Sequence, residues 1–164
     1  AESLGRDRGR HRHGERPLAR EGGVADDVEP LRSERRVEGA KAEELIPKIR
    51  RAVERYPHAK PGGYHVWPGP NSNSFVAHVL RAVPETGIAM PSIAIGKDFR
   101  TDGWLIGRTP SGTGYEFSAF GFASIAVGLS EGIEVSILGL TTGIDVLRPA
   151  IKLPGFGRIG MPPV

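Results

Sequence analysis

The side chains best suited to chemistry stand together at 71–74, where Asn71-Ser72-Asn73-Ser74 runs directly into Phe75, Val76, Val79, Leu80 and Val83. Those apolar positions recur at helical spacing, four N-capping residue types precede them and Pro84 closes the run, which predicts a capped amphipathic helix. A hydroxyl in the first turn of a helix lies beside unpaired backbone N–H groups and the positive end of the helix dipole, which favour developing negative charge. Ser72 and Ser74 hold that place. A nucleophilic serine also needs a base. His78 falls one turn after Ser74 on the same face, and His65 precedes the rigid Pro68-Gly69-Pro70 turn, from where it can fold back over it. No orienting carboxylate is apparent. The competing reading assigns Asn71, Ser72, Asn73 and Ser74 to helix capping alone.

Other chemistries find less support. The chain contains no cysteine, which excludes a thiol nucleophile, a disulfide framework and a Cys-ligated metal or cluster. His11 and His13 lie in a polar N-terminal stretch, and His58, His65 and His78 have no carboxylate or histidine at ligand spacing on a shared face, so neither a metal nor a cofactor is expected. Gly155-Phe156-Gly157-Arg158-Ile159-Gly160 matches the dinucleotide-binding glycine pattern by letter. That motif works where a strand turns into a helix, and the residues after Gly160, with Pro162 and Pro163 among them, predict none. Thr109 to Gly114 reads as a hairpin turn, because no Gly-Lys-Ser/Thr follows to make a phosphate loop. Lys97-Asp98 reads as a local ion pair or a turn pair.

The elements that must position these residues are legible in outline. Ala42, Leu45, Ile46, Ile49, Val53 and Tyr56 predict a helix over 40–56, with Pro47 in its first turn or at a kink and Pro57 as its stop. Tyr64 to Trp67 is short and β-prone. Beyond the second helix, β-like runs cover 92–96, 104–107, 115–120 and 133–140, separated by turns at Asp102-Gly103, Pro110-Ser111-Gly112 and Thr142-Gly143. Residues 122–129 fit helix or strand equally by period. Two helices followed by strands predict an α+β fold.

The 164 residues suffice for one domain, expected over 39–164. Residues 1–60 carry 15 Lys+Arg and 12 Asp+Glu against 7 and 7 afterwards, so the net charge of +3 belongs to the N-terminal part. Residues 1–38 contain no aromatic residue and too little apolar surface to offset the entropy of ordering, about 1–2 kcal/mol per residue, and are expected to be disordered. The arginines from Arg6 to Arg20 could meet phosphates, yet Glu2, Asp7, Glu15 and Glu21 are interleaved and no aromatic is present for stacking, which argues against nucleic acid. Arg/Gly/Ala/Pro-rich text of this kind is also what an out-of-frame reading of GC-rich DNA gives. No apolar run long enough for a membrane span and no signal-peptide core is found, so membrane association is expected only through an upstream anchor.

Several ordered motifs together resemble an uncharacterised bacterial family, domain of unknown function thirty-seven-fifty. They are Trp-Pro-Gly-Pro-Asn-Ser-Asn-Ser-Phe-Val-Ala-His at 67–78, Ile-Gly-Lys-Asp at 95–98, Pro-Ser-Gly-Thr-Gly-Tyr at 110–115, Glu-Gly-Ile-Glu at 131–134, Leu-Gly-Leu-Thr at 138–141 and Leu-Pro-Gly-Phe-Gly-Arg-Ile-Gly at 153–160. The resemblance spans roughly 31–160. Within it, the 71–75 block is similar to the Asn-Cys-Asn-x-Phe block of permuted papain-like hydrolases related to the NlpC-type peptidases, with Ser72 at the position of the cysteine. This resemblance implies a papain-like half-domain with an antiparallel sheet, catalytically degenerate because serine is a far weaker nucleophile than a thiolate. It implies a peptide, amide or acyl ligand at the helix N-terminus, held by Ser72 with Asn71, Asn73, Ser74, His65 and His78 near it. The alternatives are a serine-dependent hydrolase or acyltransferase using Ser72 and His65, and an envelope-associated interaction domain without a small-molecule site. Fuller members of the family imply an upstream histidine-bearing strand, so residues 40–164 are expected to form an incomplete sheet with an exposed edge and a partly uncovered apolar face.

Overall fold

A computed structural model describes residues 36–161, so the segment expected to be disordered lies almost wholly outside the described residues. Helix α1 (Gly39–Glu54) and helix α2 (Ser72–Ala82) are followed by a single 3-10 turn, Pro84–Thr86. A long loop then leads into seven strands: β1 (Ile106–Arg108), β2 (Gly114–Ala119), β3 (Ala123–Gly128), β4 (Gly132–Ile137), β5 (Leu140–Asp145), β6 (Ala150–Leu153) and β7 (Gly157–Gly160). They form one antiparallel meander in the order β1 to β7. The α+β class follows.

Helix α1 packs Leu45, Ile49 and Ala52 against Val79 and Val83 at the end of α2, while Ile46 and Val53 of the expected stripe are exposed. Pro47 sits inside α1 and not in its first turn. The missing N–H costs one helical bond, and the packing of Leu45 and Ala52 on either side offsets it. A second apolar cluster joins Ala77 and Leu80 of α2 to Ile88, Met90 and Ala94 of the loop. Residues 92–96 are therefore a chain of turns, not a strand, closed by Ala94 N–H to Pro91 O and Lys97 N–H to Ala94 O. Pro91 and Gly96, the latter at φ +86°, enforce it. Residues 64–67 are likewise no strand: bends run over 66–70, and the His65 N–H donates to Pro70 O at 2.8 Å across them. The apolar run 133–140 is split by Leu138 and Gly139, both at positive φ, into a two-residue hairpin between β4 and β5. The ambiguous run 122–129 is strand β3.

The two faces of the sheet are chemically opposite. One cross-strand row, Tyr115–Val127–Ile133–Ile144–Ile151–Ile159, crosses six strands on the outer face, and every member is exposed. The neighbouring row, Glu116–Ala126–Glu134–Gly143–Lys152–Arg158, lies on the inner face, where Glu116, Glu134 and Lys152 are buried. A third row, Ser118–Ser124–Ser136–Thr141, is also inner and buried. Alternation reveals two faces, and here the polar one is covered by protein.

The inner charges are paired across the gap. Glu134 receives the Lys97 ammonium at 2.5 Å on one carboxylate oxygen and the Lys152 ammonium at 2.5 Å on the other. Glu116 receives Arg81 at 2.5 Å and Arg100 at 3.1 Å. Truncating Glu134 would strand two buried cations, at a cost of about 3–5 kcal/mol. The Glu134→Ala protein is expected to lose that much stability in urea denaturation, and a loss below about 1 kcal/mol would show that the pairs do not hold the sheet to the loop.

Candidate functional site

The head of α2 is built by its own polar side chains. Asn71 is the N-cap: its Oδ1 accepts from Ser74 N–H at 3.0 Å, and Ser74 Oγ accepts from Asn71 N–H at 2.7 Å, which closes a reciprocal capping box. The other half of the Asn71 amide donates to Val66 O at 2.8 Å and to Ile95 O at 3.1 Å. Asn73 Nδ2 donates to Ile95 O at 2.8 Å. One buried amide thus ties the helix to the bend before it and to the loop after it. Gly96 is required beside it, because a Cβ there would run into the Asn71 amide.

Ser72 is the first residue of α2, exposed, and its hydroxyl makes no hydrogen bond among the described residues. His65 is also exposed, and its backbone N–H donates to Pro70 O at 2.8 Å, so the segment does fold back. No hydrogen bond joins the His65 ring to Ser72. His78 is occupied elsewhere: its Nε2 lies 3.1 Å from Ala52 O and its Nδ1 2.7 Å from the Thr101 hydroxyl. A carbonyl can only accept, so Nε2 carries the proton and Nδ1 accepts from Thr101. Ala52 O is one of the carbonyls left open at the end of α1, and His78 closes it.

A second polar site lies between the loop and the inner sheet face. Lys97, Asp98, Glu116, Ser124, Glu131 and Glu134 line a cavity of about 10 Å³, together with Met90, Pro110 and Ala126. That is room for one water at most and for no organic substrate. The Glu131 carboxylate accepts from Ser111 N–H at 3.1 Å, Ser111 Oγ at 2.8 Å and Thr113 Oγ1 at 3.2 Å, which fixes the β1–β2 hairpin. Lys152 Nζ also donates to the Glu131 carbonyl. Lys97 and Asp98 share a turn, as one of the two sequence readings has it, but no ion pair joins them. Lys97 turns away to Glu134, and Asp98, 3% exposed, leaves Oδ2 without a partner among the described residues. Burial pushes the Glu116 carboxyl up from its ordinary range, against the pull of Arg81 and Arg100. Among the described residues no group of three His, Asp or Glu side chains is arranged around a common metal position.

Residues 27–99 match the family described as "Protein of unknown function (DUF3750)". No curated protein and no solved structure matches the chain. The DUF3750 match covers both helices and ends at Phe99, so it holds Arg81 and Lys97 but not their sheet partners Glu116 and Glu134. Sequence reasoning missed these pairs. Their signal was the alternation Ile133-Glu134-Val135-Ser136-Ile137, which separates two faces without saying which is covered.

Of the residues singled out in the sequence, the structure joins Asn71, Asn73 and Ser74 in one network and leaves Ser72 and His65 unbonded to it. Burial lowers the His78 pKa, with the Ala52 carbonyl opposing and Arg81 adding to the shift. The fold therefore retains neutral imidazole while the unfolded chain takes up a proton near the ordinary value of 6.5, so stability is present above that value and is lost as pH falls below it. Thermal midpoints measured from about pH 8 down to about pH 5 are expected to fall most steeply below the ordinary histidine value, and His78→Gln is expected to flatten that slope. An unchanged slope in the variant would assign the pH dependence elsewhere.

Proposed function

We propose that this chain is a non-catalytic interaction module, derived from a degenerate papain-like domain, that docks protein through the outer face of its sheet. One observation carries the reading: the outer face bears large apolar side chains on all seven strands and, in the strands, no charged residue except Arg108. Soluble monomers seldom leave an apolar patch of more than a few hundred Å² open, and larger ones mark interaction sites. The papain-like element of the proposal draws on the Asn71-Ser72-Asn73 block at the head of α2, ahead of an antiparallel meander. Its degeneracy draws on the spending of Asn71, Asn73, Ser74 and His78 on structural hydrogen bonds.

A photo-crosslinking amino acid placed at Val135 in the full chain, produced in cells, is expected to trap a discrete protein adduct. The same probe at Arg50, on the exposed side of α1, is expected to trap none. Equal or absent adducts at both positions would sink the docking proposal.

A second reading keeps chemistry or ligand binding at α2. It rests on Ser72, whose exposed hydroxyl sits at the positive end of the helix with no partner among the described residues and is free to meet a peptide, amide or acyl group. A fluorophosphonate probe separates the two. The module reading expects no labelling of the folded protein, whereas labelling abolished by Ser72→Ala would establish a serine hydrolase or acyltransferase.

A further inference from the structure

We infer that the occupant of the outer sheet face is a second copy of this chain, stacked sheet on sheet across a two-fold axis. The inference rests on the docking proposal and names its partner. Seven strands at ~4.8 Å spacing and up to six residues tall make a face of about 29 Å by 20 Å, roughly 600 Å² before the flanking turns are added. A stable interface requires about 800 Å² per partner. Leu129, Val146 and Leu147, all exposed and in the turns at one end of the strands beside Val127 and Ile133, extend the apolar area towards that value. The face is self-complementary in charge, since two surfaces without carboxylates or lysines can be pressed together without stranding an ion. Its single cation, Arg108, lies on the edge strand β1 with its guanidinium 5.8 Å from the Tyr115 ring, so it stays at the rim.

Rival occupants fit less well. Residues 1–35 and 162–164 are poor material for a counter-face: 1–35 contain three Leu and two Val, with no Ile, Met or aromatic residue, and 162–164 are Pro-Pro-Val. A lipid surface is a poorer match, because the outer face of the strands carries a single cation, Arg108, among the described residues, and strands of six residues are shorter than the ~9–11 that cross a bilayer. An open hollow of about 370 Å³ between Val127, Leu129, Ile133, Val146 and Leu147, with Thr113 and the Arg158-paired Asp145 also lining it, gives a stacked sheet a socket for an apolar side chain.

Val135 is on the central strand β4, where a two-fold axis brings a residue close to its own copy. Sedimentation of the full chain without detergent, over about 1–100 μM, is expected to give a mass of twice 17.6 kDa. Val135→Lys and Val135→Glu, each with a native circular dichroism spectrum, are expected to raise the dissociation constant roughly 100-fold through like-charge contact, and an equal mixture of the two is expected to re-form dimers. A monomer at every concentration overturns the inference, as does a dimer indifferent to both substitutions. A monomer that floats with anionic phospholipid vesicles assigns the face to lipid and overturns it too. Should both variants fail to fold, the mass of the Val135 photo-adduct decides in their place. An adduct of twice the chain supports the second copy. An adduct with another polypeptide refutes it and leaves the docking proposal standing, and no adduct refutes both.

Discussion

Everything in this fold follows from where the charges of the sheet find partners. Glu134 is 4% exposed and holds two ammonium groups, and Glu116 is as deeply set and holds two guanidiniums. Apolar burial alone would turn the sheet the other way, with Ile133 and Ile144 inward. A buried ion pair adds little net stability over a well-packed apolar pair, but half a pair left in the interior is prohibitive. Once Arg81, Lys97 and Arg100 are committed to the covering layer, the face that answers them must turn inward and the apolar face must turn out. Gly107 belongs to the same constraint, since a Cβ there would occupy the space of the Arg100 guanidinium.

Local physics was legible in the sequence. The spacing of Leu45, Ile49, Val79 and Leu80 gave both helices, the Asn/Ser run gave the N-terminus of α2, and the expectation of a sheet with an uncovered apolar face agrees with the exposed outer rows. Non-local choices were not legible. Alternation along 133–137 is symmetrical between the two faces, and only the pairing of Glu134 with a lysine 37 residues away breaks the tie. The strand expected over 92–96 fell to the same cause, because apolar content does not distinguish a strand from a loop whose Met90 and Ala94 pack on α2. Lys97-Asp98, adjacent in sequence, could be an ion pair or a turn pair, and only Glu134 across the gap decides for the turn.

At the head of α2 the residues that suggested chemistry divide by the use the fold makes of them. Asn71 spends every hydrogen-bonding group of its amide on three chain segments, and His78 joins the end of α1 to the loop at Thr101. Both side chains tie separate segments of the chain together, which is how a joint is built. Ser72 differs because capping does not require it: the box closes between Asn71, one residue before it, and Ser74, two residues after it.

The meander has a kinetic meaning as well. Each strand pairs only with its neighbours in sequence, so ladder contacts are short-range and can zip from any hairpin quickly. The contacts that orient the ribbon are long-range, 35 residues from Arg81 to Glu116 and 37 from Lys97 to Glu134. Closing a loop of that length costs more entropy than closing a two-residue hairpin, so these pairs are expected to be the later ones. For that interval the chain is a ribbon with one greasy side and one charged side and nothing to tell it which is the inside, and the order in which the loop and another apolar surface arrive decides between a native sheet and a misassembled one.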